Sequence, residues 1–219
     1  MRLLNRIVTN PFAVWVSYVL CKLWNVLTLH TPSAKRRAAA NRAAFDATPL
    51  RGRVQGQRRP PVAALPYGKF TMDYNGCEVI AAHNALLTLG IAEPLGEAAA
   101  YFERHGLFLG GAWGTHVLAV PGYFNKAHGC RAKVYWKDFD TALTAKAGAR
   151  AAVFSYWNDK TDLMKGVHTV AITHGADGGL LIDNLYTAEP EPYAAYRSIA
   201  ELIERTGILP ILLVTAQRQ

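Results

Sequence analysis

The chain is predicted to fold as an α+β domain behind an amphipathic helical arm. Three observations carry this. Helical periodicity dominates residues 75–128, short strand-like runs alternate with helices from residue 131 onward, and an apolar stretch near the start confines its polar residues to one sector. The chain has 219 residues, 51% of them apolar and 18% charged, which suits one domain plus an appendage and excludes disordered and collagen-like chains. Three cysteines, Cys21, Cys77 and Cys130, cannot form a fully paired framework, so a reducing compartment or a reactive thiol is expected.

The arm comes first. Residues 11–30 (PFAVWVSYVLCKLWNVLTLH) approach the roughly 20 apolar residues of a membrane span, but Lys22 and Asn25 interrupt them. At about 100° per residue, Ser17, Cys21, Lys22, Asn25 and Thr28 share one sector, and Phe12, Trp15, Val16, Val19, Leu20, Leu23 and Val26 fill most of the rest. Such a helix lies on a membrane surface or packs on the body or a partner. A signal peptide fits less well, because Lys22 and the bulky Trp24–Leu29 sit where a cleavage region belongs. Residues 31–61 read as a short basic helix and a Pro/Arg/Gly linker, which divides the chain into an arm, 1–61, and a domain, 62–219.

Charge sharpens that division. The formal net charge is +8, of which residues 1–30 contribute +3, residues 31–60 contribute +7 and residues 61–219 contribute −2. A nucleic-acid-binding body needs its own basic face, so no nucleic acid is expected on residues 61–219. The arm, by contrast, suits an anionic membrane surface or a partner protein through residues 11–60. A cytoplasmic location follows from the sparse cysteines, with membrane association through the arm as the alternative.

In the body, NGCEVIAAHNALLTLG (75–90) is the best-defined element. Asn75 and Glu78 have capping-box spacing, apolar residues recur at helical spacing, and Gly90 is placed to end the helix. A second helix is expected at 94–105, then the Gly-rich loop Gly106–Gly114 and a helix at 115–128. Strands are expected at 131–136, 150–156, 167–174, 180–186 and 208–215, with helices at 138–147 and 195–205.

One constellation carries chemistry. Cys77 falls in the first turn of its helix, where free N–H groups and the macrodipole favour a thiolate. His168, in GVHTVAITH, lies on a strand and could serve as base. A third residue would come from the next strand, LLIDNLY. Asp183 faces His168 if the turn has two or four residues, and Asn184 does if the loop is odd and centred on Ala176. Trp113 and Gly114, in the Gly-rich loop, and Trp157, in SYWN, are candidates for a substrate cleft. HGC places His128 near Cys130, but no second pair has zinc-like spacing, so neither a metal nor a cofactor is expected.

The order of a Cys on the first long helix, then a His on a strand, then Asn or Asp one hairpin later resembles papain-like cysteine peptidases, closest in pattern to the C39-like, bacteriocin-leader-type branch. NGCEVIAAHNALLTLG, GGAWGT, SYWN, VHTVAITH and IDNLY carry the resemblance, across about half of the chain. It implies a papain-like fold over residues 62–219, with Cys77 as nucleophile, His168 as base and Asn184 or Asp183 orienting the imidazole. The family's oxyanion-hole Gln usually lies six residues before the Cys, where this chain has Thr71. Asn75 is the substitute candidate, and helix capping is its competing role. The function implied is cleavage of a peptide or isopeptide bond in a peptide or protein substrate through a thiol acyl-enzyme. A papain-like acyltransferase and a non-catalytic peptide-binding module with the same fold are the alternatives. The arm could also cover the cleft as a pro-segment.

Overall fold

The computed structural model describes residues 1–144, 150–175, 177–185 and 194–219. Three helices open the chain: α1 (Arg2–Val8), α2 (Pro11–Thr28) and α3 (Pro32–Ala47). Asn10 caps α2, its Oδ1 accepting from the N–H groups of Phe12 and Ala13, and Thr31 caps α3 through Ala34 N–H. Pro11 and Pro32 each occupy the first helical turn, where a missing N–H costs nothing.

An irregular stretch, residues 50–61, ends in turns and leads to a two-stranded ribbon, β1 (Pro66–Tyr67) and β2 (Phe70–Thr71), and to the short α4 (Met72–Asn75). The central helix α5 (Cys77–Thr88) follows, then α6 (Leu95–His105). Gly90, at φ +70°, ends α5. Gly90 N–H bonds the Leu87 carbonyl and Ile91 N–H bonds the Leu86 carbonyl, the Schellman arrangement that a glycine permits. Asn75 is not the cap of α5. It ends α4, and Gly76 separates the two helices, where a Cβ would press within 2.6 Å of the Met72 carbonyl. The expected helix at 115–128 is only the short α7 (Ala119–Gly122) and a wider π-type turn, Tyr123–Ala127.

A six-stranded antiparallel sheet completes the fold: β3 (Arg131–Tyr135), β4 (Arg150–Trp157), β5 (Val167–His174), β6 (Leu180–Asp183), β7 (Ala194–Tyr196) and β8 (Leu209–Gln217), in the order β3-β8-β4-β5-β6-β7. Two helices flank its second half, α8 (Phe139–Thr144) and α9 (Ile199–Thr206); the expected end of α8 lies outside the described residues. The helix expected at 195–205 begins later, because residues 194–196 pair with β6 as an edge strand.

The sheet is buried on both faces. Val153, Ala171 and Val214 point to a core shared with α5 and α6, while Phe154, Val170, Ile172 and Leu213 point to a second core closed by α8 and α9. The α+β class with an antiparallel sheet is therefore established. The stretch read as a linker is packed: Phe45 and Val54 belong to the first core, and the Phe45 ring lies against Gly96 of α6.

Candidate functional site

The N-terminus of α5 meets the sheet at β5. Cys77 is buried, and its thiol donates to Oε2 of Glu78 at 3.0 Å. Oε1 of that carboxylate accepts from the Thr169 hydroxyl at 3.3 Å, and Thr169 bonds Ser155 on β4 at 3.0 Å. The Thr169 backbone N–H also bonds the Cys77 sulphur. The sulphur thus meets β5 at Thr169, on the face toward α5, whereas His168 projects from the opposite face beside Tyr156, Val170 and Ile172, so the structure does not bring the expected thiol and imidazole together.

Electrostatics hold this cysteine as a thiol. Burial first, and then the neighbouring Glu78 charge, push its pKa well above the ordinary value. Burial also pushes Glu78 up to about 7. The first-turn position alone suggests a lowered pKa, but withdrawal from water and an adjacent carboxylate outweigh the helix dipole here.

His168 is fully buried. Strand alternation groups it with Val170 and Ile172, and its ring stands edge-on to Tyr156 at 5.8 Å. Its Nε2 lies 2.6 Å from the Asn184 backbone carbonyl. That contact fixes an Nε2–H tautomer, because a carbonyl only accepts. Burial lowers the imidazole pKa to about 4, against the raising effect of the carbonyl.

The hairpin register differs from both arrangements expected from the sequence. Ala171 pairs with Asp183 and His174 with Leu180, which centres the turn on Asp177. Neither Asp183 nor Asn184 is opposite His168. Asp183 shares the face of Ala171 and Thr169, toward α5, where Arg53 and Gln55 hold its carboxylate. Asn184 adopts a left-handed conformation, φ +66°, which Asn tolerates better than most residues. That twist delivers its carbonyl, not its side chain, to the imidazole. The side chain turns to Gln57, accepting from Gln57 N–H at 2.8 Å and donating to Gln57 Oε1 at 3.2 Å.

These contacts define a strap that the sequence did not foretell. Residues 53–57 run along the face of α5 that carries Cys77, Asn84 and Thr88, from its C-terminal end toward Cys77. Arg53 donates to Thr88 Oγ1 at 2.8 Å. The Asn84 side chain bonds both backbone groups of Val54, at 3.0 and 2.8 Å. Gln55 Oε1 accepts from Asn184 N–H at 3.1 Å, and Gln57 Nε2 reaches the Asp73 carbonyl at 2.7 Å. Gln57 thus reaches α4, just before the start of α5, although it lies twenty residues upstream of Cys77 in the chain.

The remaining candidates scatter. Asn75 Nδ2 donates to the Gly111 carbonyl at 2.6 Å, which spends that donor on holding the Gly-rich loop. Gly114 lies beside Asn75, 3.7 Å separating a Cβ there from Asn75 Oδ1, and Trp113 is exposed on the same loop. Trp157 is half-buried against the first core. His128 faces Glu93 at 3.4 Å, and among the described residues no group of three His, Cys, Asp or Glu side chains is placed to hold a metal ion.

Glu78 is the residue that sequence reasoning assigned to the wrong task. Its signal was legible: a carboxylate next to the cysteine, at the head of a helix apolar on nearly every side. Comparison with protein-family models and with curated proteins finds no match to this chain.

Proposed function

We propose that this chain is a papain-like cysteine hydrolase acting on peptide or isopeptide bonds, seen in a closed state in which its own strap fills the groove beside Cys77. The observation that carries the reading is the junction itself. A helix-N-terminal thiol bonds β5 at Thr169, one position along the strand from His168, and that imidazole, on the opposite face of β5, has its tautomer set by the next strand. Opening would have to carry the His168 imidazole from the second-core face of β5 to the Cys77 side; Cys77 would then attack the substrate carbonyl, His168 would accept the thiol proton through Nδ1 and return it to the leaving amine, and water would release the acyl group. Papain-like acyl transfer uses the same groups, with an amine or thiol in place of water.

A second reading keeps the fold without the chemistry. It is favoured by the directions of the two pKa values, thiol raised and imidazole lowered, and by a groove that already binds a peptide segment, Arg53–Gln57, through side chains and backbone. The module would then bind a peptide in trans where the strap lies.

Iodoacetamide labelling of Cys77 against pH separates these readings, using full-length protein with Cys21→Ser and Cys130→Ser. Arg53→Ala with Gln57→Ala would loosen the strap. The hydrolase reading expects labelling in the loosened protein to extend well below a pH of about 8.5, and to lose that range with His168→Ala. Labelling that titrates at or above that value in every variant leaves the peptide-binding module.

A further inference from the structure

The arm is amphipathic, but it is turned the opposite way from an ordinary surface helix. The polar sector of α2 faces the body. Leu118 N–H donates to Nδ1 of His116 at 3.2 Å, so Nε2 of that neutral ring carries the proton and donates to Ser17 Oγ at 2.8 Å. Ser17 passes its own proton to the Val14 carbonyl at 2.8 Å. Cys21 Sγ donates to the Leu107 carbonyl at 3.2 Å, and Lys22 Nζ reaches the His105 carbonyl at 3.2 Å. Asn25 is buried on the same face.

Opposite them, the apolar sector points outward. Phe12 is 71% exposed and Leu27 is 75% exposed, with Trp15, Leu20, Leu23 and Val26 exposed between them. At about 100° per residue they fall within one arc of about 140°. Leu3, Leu4 and Ile7 of α1 extend the patch. A contiguous apolar surface of this kind marks an interaction site.

Charge identifies the occupant. Arg6 of α1 and Lys35 and Arg36 of α3, the helices before and after α2, are exposed, and no acidic residue precedes Asp46 in the chain. The groove between α2 and α3 adds Lys22, Arg37 and Arg104. Apolar side chains accompanied by cations match the acyl layer and headgroups of an anionic bilayer. The helix is long enough to cross a membrane. Crossing would strip Ser17, Cys21 and Lys22 of their partners on the body, and those groups, together with Asn25, would then lie in hydrocarbon.

We infer that α1 and α2 form an in-plane docking surface for an anionic lipid bilayer, with the domain suspended from the polar face of α2. The surface lies on the arm, independent of Cys77 chemistry.

The test is co-sedimentation of the full chain with vesicles of phosphatidylcholine alone and of phosphatidylcholine mixed with phosphatidylglycerol. Binding should favour the anionic vesicles by about tenfold or more, weaken with salt, and be released by alkaline carbonate. Leu23→Ser with Leu27→Ser should abolish it without changing the thermal melting of the free protein, since both side chains are exposed. Equal binding by that variant overturns the proposal. So does carbonate-resistant binding, which means a span. Failure to bind vesicles also overturns it, and if it is joined by a concentration-dependent dimer that the same variant dissolves, the occupant is a second copy.

Discussion

At the scale of the residue, burial first and the Glu78 carboxylate second hold Cys77 as a thiol. A buried carboxylate 3.0 Å from a thiol holds the proton on sulphur, because two adjacent anions in a dry site repel and neither is solvated. Replacing Glu78 by Gln keeps the shape and removes the charge. We expect Glu78→Gln to lower the Cys77 pKa and to raise iodoacetamide labelling near neutral pH by about tenfold or more, one pKa unit being a factor of ten in thiolate. Unchanged labelling would show that burial alone controls the thiol. His168 makes the opposite case. Its native pKa, about 4, lies below the unfolded value of 6.5, so the unfolded chain binds the extra proton and stability falls as pH drops from 6.5 toward 4. Wild type should lose on the order of 3 kcal/mol across that window relative to His168→Gln, measured by urea unfolding at each pH. A pH-independent difference between the two would mean that the ring is not buried neutral.

At the scale of the element, the strap shows how ion pairs differ with their surroundings. Asp183 is almost wholly buried, and Arg53 and Gln55 supply its partners. Arg53→Ala would leave a buried carboxylate short of a donor and should cost about 2 kcal/mol. Arg42 makes shorter work of the same chemistry at the surface, binding Asp46 and Glu97 in water. Arg42→Ala should cost less than about 1 kcal/mol. Paired chemical denaturation of the two variants checks the ranking, and equal losses would mean that the strap is not held through Asp183. The helix α2 belongs to this scale as well. Its two faces are distinct in composition, and contact with the body uses the polar one.

At the scale of the whole molecule, one sheet serves two cores. Leu86 of α5 lies in the first and Ile182 of β6 in the second, both almost fully buried. Because the sheet is common to both, Leu86→Ala and Ile182→Ala should each cost about 3 kcal/mol in a single cooperative transition. Two separated transitions in a calorimetric scan would instead divide the molecule into independent halves.

Much of this was legible from local pattern. Capping residues, 3.6-residue periodicity and Gly90 located α5 and placed Cys77 at its start. Alternation and turn residues located β4, β5 and β8, and the charge partition isolated the arm. These features depend on neighbours within a few positions, which the order of residues records directly. The hairpin register did not follow in this way, because HGADGG admits several turn centres and each shift of one residue exchanges the faces. The strap did not follow either. Arg53, Gln55 and Gln57 find partners more than one hundred residues away at Asp183 and Asn184, and such pairings are set by chain closure in space. Amphipathicity marked two faces on α2 without saying which would meet the body. Local order along the chain marked α5, α6 and the strands β3, β4, β5 and β8, showed where the charge lies and identified the cysteine that heads a helix. That Cys77 faces Glu78, that residues 53–57 pack along α5 and that the apolar face of α2 is turned outward came from the tertiary fold, because each depends on which distant surfaces exclude water from one another.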